Sequence, residues 1–168
     1  LTKAHAHHQK GVAGIEAHEV AEHAAGLFLV LPLDPRAPLR DDELEVLRAA
    51  FAGRMAIAVW RHLEDDDRRR QLASLETSRR YDIPIVASAR PLYHHRSRKP
   101  LADVVRCIRL KTTLDRAGTS LGSNAEADVK GFARMQRLFP SHPEWLARSV
   151  AIAERCHFSL SELRYNFP

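Results

Sequence analysis

Several histidines of this chain sit at spacings that could hold a cation. His5, His7 and His8 form a cluster near the first residue, with His5 and His7 as an HxH pair. His94 and His95 are adjacent, and His62 follows an apolar run. Imidazoles that converge with carboxylates can bind zinc or manganese, and such an ion polarises a phosphate oxygen and supplies hydroxide near neutral pH. That chemistry needs several ligands at one point. His94 and His95 have no carboxylate close by in sequence, and Arg96, Arg98 and Lys99 follow them, so a surface loop is the plainer reading. The same is true of His5 to His8, a polar aperiodic stretch that reads as a loop or as an adventitious metal binder.

The run from Tyr93 through His94, His95, Arg96 and Arg98 to Lys99 is the densest basic patch. Cations beside a stacking ring suit a phosphate backbone; a solvated loop is the alternative. The acids and bases of Asp65 to Arg70 follow the order that a helix dipole favours and read as a helix stabiliser. The glycines of Gly11 to Gly14 lack the Lys-Ser/Thr of a phosphate-cradling loop. Trp60 and Trp145 lie in apolar periods and read as core anchors. Cys107 and Cys156 form no CxxC pair; both read as small buried hydrophobes, which fits a reducing cytosolic setting.

The elements that must position these residues alternate. Apolar runs at Leu27 to Leu31, Met55 to Trp60 and Ile83 to Ser88 read as buried strands. Helical patterns at Ile15 to Ala25, after Asp41 (Leu44, Leu47, Phe51) and over Glu64 to Arg80 (Leu72, Leu75) separate them. The repeat is that of βαβ crossovers and a parallel sheet. Three strands fall short of the eight that close a (βα) barrel, so an apolar sheet edge is expected to lie open. The second half is helical: Pro100 to Arg109, with Leu101, Val104, Val105 and Ile108 on one face, then Gly131 to Phe139 and Pro143 to Cys156. Lys111 to Asp128 reads as a polar loop. The expected organisation is an α/β portion over residues 1–99 and a helical segment over 100–168.

The 168 residues are 45% hydrophobic and 28% charged, ordinary values for a folded domain, with a net charge of +5 whose positive part is mostly arginine. That balance leans modestly toward polyanionic partners. The longest apolar run, Gly26 to Leu33, is too short to cross a bilayer. The first residue is Leu1 and no signal-peptide pattern follows, so the chain is expected to be a piece of a longer one.

Four blocks carry a resemblance: LYHH at Leu92 to His95, PLADVVRCIR at Pro100 to Arg109, TTLDRAG at Thr112 to Gly118, and IAERCHFSLSELRYNFP at Ile152 to Pro168. LTKA at Leu1 to Ala4 and AEHAAGL at Ala21 to Leu27 fit more weakly. In this order the blocks resemble the C-family DNA polymerases, and among them the error-prone alternative alpha subunits. They match the end of the PHP domain and the helical linker toward the polymerase core. The resemblance implies a partial PHP-type (βα) barrel with about three parallel strands, then a small all-helical segment. It also implies positions for metal ligands. The family's late Asp and His fall on Arg90 and Leu92, and an earlier Glu falls on Ala58, with His62 as a remnant ligand. A guanidinium cannot ligate a cation and repels one. The expected chain is therefore a structural piece without the polymerase active site and without a metal of its own. Magnesium is expected for the longer polymerase, which would act in damage-induced DNA synthesis with DNA and other translesion subunits as partners. No membrane and no small-molecule substrate are expected. Two alternatives stay open: a metal-dependent PHP-type phosphoesterase, and a non-enzymatic DNA-binding module.

Overall fold

The computed structural model describes residue 5 and residues 13–162. His7, His8, the LTKA block, most of the presumed N-terminal loop and the last residues of the final family-like block lie outside the described residues. His5 is exposed.

Helix α1 spans Ala17–Glu22, strand β1 Leu29–Pro32, α2 Asp41–Ala50, β2 Met55–Val59, α3 Asp66–Tyr81 and β3 Ile85–Ala87. A 3-10 turn at Arg96–Arg98 leads into α4 (Lys99–Leu110), then α5 (Leu114–Ala117), α6 (Phe132–Leu138) and α7 (Pro143–Glu154). The three strands form one sheet in the order β1-β2-β3. Both pairings are parallel, with Leu31 opposite Ile57 and Ile57 opposite Ile85. This is the α/β arrangement that the alternating runs predict. Every residue of central β2 is buried, as a parallel strand covered on both faces requires.

Local signals explain the punctuation. The Glu43 carboxylate accepts the Arg40 amide at 2.9 Å at the start of α2, and Asp41, Asp42 and Glu43 place negative charge in its first turn. Gly53 has φ +67° and Asp82 φ +52°, left-handed turns that stop α2 and α3 and return the chain to the sheet.

One face of the sheet carries Ile57, Val59, Ile85 and Ala87 into a cluster with Leu44, Leu47 and Phe51 of the α2 region. Met135, Phe139, Trp145 and Leu146 from α6 and α7 belong to the same cluster. The opposite face, Ala56, Ala58 and Val86, packs against Ile152 of α7. Helices from the second half thus complete the core of the first. Phe139 and Trp145 meet with ring centroids 5.9 Å apart, and both tryptophans are buried.

Three details differ from the sequence expectations. Of the two leucines expected on the inward face of α3, Leu75 packs against the core, but the rest of that face is small and polar: Ser74 is its buried residue, Gln71 accepts from Arg61 at 2.6 Å, and the Arg70 guanidinium lies 5.0 Å from the Trp60 ring. Leu72, two residues from Ser74 and so on the opposite side of the helix, is 56% exposed. The regular face of α4 exists, but Leu101, Val104, Val105 and Ile108 are all exposed; α4 turns Cys107 inward instead. Cys156 is exposed rather than buried, beyond the last turn of α7.

The outer edge of β3 does not lie open. Helix α7 packs along it, and Arg148 Nη1 donates to the Ile85 carbonyl. Other arginines do the same for helix and turn ends. Arg54 donates to the carbonyls of Leu27 at 2.7 Å and Ala50 at 3.0 Å, Arg61 to Leu138 at 2.6 Å, and Arg155 to Gly53 at 3.0 Å. If Arg148 seals the sheet edge, Arg148→Ala leaves the Ile85 carbonyl without its donor and should cost about 1–3 kcal/mol in urea unfolding. Arg79→Ala, on the exposed side of α3, should change stability by less than about 0.5 kcal/mol. Equal midpoints for the two variants would refute the edge role.

Candidate functional site

Parallel strands deliver their loops to one edge of the sheet, and open α/β sheets bind ligands beyond the carboxyl ends of their strands. Here β2 and β3 end side by side, Val59 pairing with Ala87. The loops that follow form part of an open cleft of about 960 Å³. His62 and Glu64 come from the loop after β2, and Leu92, Tyr93 and His94 from the loop after β3. A stripe of α4 forms another wall: Leu101, Ala102, Val105, Arg106 and Arg109, with Arg98 at its head. Thr119, Ser120, Leu121, Gly122 and Asn124 complete it.

The loops are held by their backbones. His62 is buried, and its Nε2 lies 2.9 Å from the Ala89 carbonyl oxygen. A carbonyl can only accept, so Nε2 carries the proton. This bond joins the loop after β2 to the loop after β3. The chain then turns at Arg90, φ +41°, whose amide donates to Ser88 Oγ at 3.0 Å and whose guanidinium stacks 4.2 Å from the centroid of Trp60. Leu92 donates its amide to Ala127 at 2.8 Å, and Val129 returns one to Tyr93 at 3.1 Å. Tyr93 and Asp128 thereby form a short parallel bridge.

That bridge corrects the reading of Lys111 to Asp128 as a plain polar loop. The stretch contains α5 and a 3-10 turn, and it ends in buried Glu126, Ala127 and Asp128. The acids sit in a compact ionic brace. Lys130, whose side chain has no exposed surface, donates to the Glu126 carbonyl and to Asp128 Oδ1, the latter at 3.0 Å. Arg134 donates to Asp128 at 2.7 Å and to Glu126 at 2.6 Å. Arg96 reaches Glu126 from the other side at 2.8 Å. Asn124 links the brace to the β2 loop: its Oδ1 accepts the Glu126 amide at 2.8 Å, and its Nδ2 donates to the His62 carbonyl at 2.6 Å.

The electrostatics follow from these contacts. Burial alone would raise the Asp128 carboxyl, but hydrogen bonds from Lys130 and Arg134 prevail and hold it below its ordinary value. Burial likewise opposes the charge of Arg134, and the two carboxylates overcome it and raise its value. Burial pushes the Tyr93 phenol up, so it is protonated at neutral pH. On the cleft wall, Lys99 pairs with Asp103 at 2.6 Å, and Glu64 has Arg70 at 3.5 Å.

The structure therefore sorts the residues that sequence singles out. His62, Leu92, Tyr93, His94, Arg98 and Lys99 meet around the cleft. Leu92 is 72% exposed there. Ala58 is buried within β2. Arg96 is engaged by the brace, and His95 Nδ1 sits 2.9 Å from Ser97 Oγ at the head of the 3-10 turn. Among the described residues, no three His, Cys, Asp or Glu side chains converge as a metal site. Sequence reading missed Arg106 and Arg109. Their signal was present: Ala102, Arg106 and Arg109 recur at helical spacing on one face with Arg98.

No protein-family model matches the chain. Over nearly its whole length, however, it is similar to proteins named error-prone DNA polymerase. It is 36% identical over 156 residues to the one from Rhodopseudomonas palustris strain BisA53, covering 90% of this chain and 14% of the relative. Identity to the Anaeromyxobacter dehalogenans strain 2CP-1 protein is 35% over 160 residues, 95% of this chain and 14% of the relative. Error-prone DNA polymerase 1 of Agrobacterium fabrum is 37% identical over 161 residues, again 95% of this chain and 15% of that protein. The chain thus spans about one seventh of the length of the curated relatives it matches.

The brace makes an acid-stability prediction. A carboxyl lowered on folding contributes stability that is complete above its unfolded value of about 3.9 and is lost as pH falls through its folded value. Urea midpoints should hold down to about pH 5 and fall below about pH 4, and Asp128→Asn should flatten that limb. An unchanged limb in the variant would remove Asp128 from the account. Lys130→Met, which leaves two buried carboxylates short of a cation, should cost about 3–5 kcal/mol.

Proposed function

We propose that this chain is the PHP-and-linker portion of an error-prone C-family DNA polymerase, and that it serves as a scaffold for a polymerase core. A match across 95% of the chain to one segment of proteins so named carries this reading. The reaction of the whole polymerase would be templated addition of deoxynucleotides to a primer end during damage-induced synthesis in the cytoplasm. Magnesium would serve that reaction, and DNA and the other subunits of a translesion complex would be the partners. Among the described residues no helix is long and apolar enough to cross a membrane.

The accessory metal site is inferred to be degenerate. At the positions where the PHP pattern expects a Glu, an Asp and a His, this chain has Ala58, Arg90 and Leu92. Arg90 has its guanidinium against Trp60, and the ring nitrogen of His62 nearest the β3 loop faces the Ala89 carbonyl. These groups suit packing and loop tethering rather than the loading of a cation. The His62 tether would hold the loops after β2 and β3 together, and the Asn124 bond to the His62 carbonyl would tie them to the helical linker, which is the scaffold role.

Two measurements test the reading. The purified chain, given a primed template, magnesium and deoxynucleotides, should not extend the primer; extension would overturn it. Metal analysis after dialysis should find less than stoichiometric zinc or manganese. A full equivalent of either, together with turnover of a generic phosphodiester, would replace the scaffold by a PHP-type phosphoesterase.

A further inference from the structure

We infer that the cleft between α4 and the strand-end loops binds a strand of single-stranded DNA, with Arg98, Arg106 and Arg109 as its phosphate contacts. The basic loop of Tyr93 to Lys99 suggests a different set of contacts, but its cations are partly committed elsewhere. Arg96 is paired with Glu126 and Lys99 with Asp103. Arg98, Arg106 and Arg109 line the cleft and are exposed. None of the three is ion-paired by an acid among the described residues, since the two carboxylates on the walls, Glu64 and Asp103, are turned to Arg70 and Lys99.

Spacing favours a polymer over a single anion. From Arg98 to Arg109 the helix advances about 16 Å, longer than one phosphate group needs. The surface between the charges favours a single strand over a duplex. Leu101 and Val105, 56% and 58% exposed, alternate with the arginines on the same wall, and the Tyr93 ring lies on the adjoining loop. Unpaired bases can cover such apolar and aromatic surface, whereas a duplex keeps its base faces stacked inside. Thr119 and Ser120 add hydroxyls on the same cleft. The brace beneath the Tyr93 loop holds that wall in place without drawing on Arg98, Arg106 or Arg109. The choice of DNA among polyanions rests on the polymerase reading; the charge and shape of the cleft do not.

Fluorescence anisotropy of a labelled oligothymidylate with the full chain tests this. Binding should be salt-sensitive. The double variant Arg106→Ala/Arg109→Ala should bind at least about tenfold more weakly, with a log–log salt slope shallower by about 1.4. Circular dichroism should show it folded, since both side chains are exposed. Arg79→Ala, an exposed arginine away from the cleft, should bind like the parent. Parent-like binding by the double variant overturns the site, and so does an equal loss in Arg79→Ala, which would mean diffuse attraction. Tighter binding of an RNA oligomer, or of duplex, overturns the choice of single-stranded DNA. None of these failures touches the primer-extension test, so the cleft and the polymerase reading can fall separately.

Discussion

A parallel sheet of three strands has two faces and two edges to cover, and nothing local to cover them with. Its neighbours are joined by crossovers, not hairpins, so each strand relies on chain far away in sequence. The rest of this structure follows from that constraint. Helices α2 and α3 lie between the strands in sequence, and yet the core is complete only when Phe139, Trp145 and Leu146 arrive from the far end of the chain. The free backbone of β3 is met by Arg148 of α7. Arginine suits this task because its rigid fork offers several donors and tolerates a partly buried setting better than an ammonium does. Four of the arginines that tilt the composition toward polyanions, Arg54, Arg61, Arg148 and Arg155, are therefore occupied with the protein's own carbonyls.

The cleft at the strand ends combines two kinds of polar construction. On one side, buried Glu126, Asp128 and Lys130 and half-buried Arg134 are mutually satisfied and fixed in geometry. On the other, α4 presents charges and apolar side chains to solvent. A buried network of this sort rigidifies what it touches when fully satisfied. It touches the Tyr93 loop and, through Asn124, the His62 loop. One wall is thus firm and the other is chemically open.

The sheet and most helices were legible because apolar runs and their punctuation are local. MAIAV reads as a buried strand whatever surrounds it, and Gly53 and Pro143 mark element ends by their own backbone preferences. The misreadings have a common physical cause. Helix α3 packs with Ser74, Gln71 and Arg70 inward beside Leu75, so its apolar stripe is only one leucine wide. Helix α4 has a fine apolar stripe that points to solvent, so the stripe was there and the partner was not. The stretch before Asp128 looks like a loop because its burial comes from ion pairs with Lys130 and Arg134, which hydropathy counts as exposure. Arg106 and Arg109 are interleaved with Val104, Val105 and Ile108, so the apolar period of α4 dominates its pattern. The similarity to error-prone DNA polymerases was carried by short blocks, and those blocks say little about which side chains meet in space.

Lys130 has consequences for how this segment can change over time. Its side chain has no exposed surface, and its ammonium group serves the Glu126 carbonyl and the Asp128 carboxylate at once. A substitution at Lys130, Asp128, Glu126 or Arg134 taken singly leaves a buried charge short of one of its partners, which is the costly direction for any such network. Drift through these positions must therefore be concerted, or must pass through less stable intermediates. The exposed arginines of α4 are under no such restriction. Two walls of one cleft thus differ: one charge cluster is locked against gradual replacement and the other can be exchanged one residue at a time.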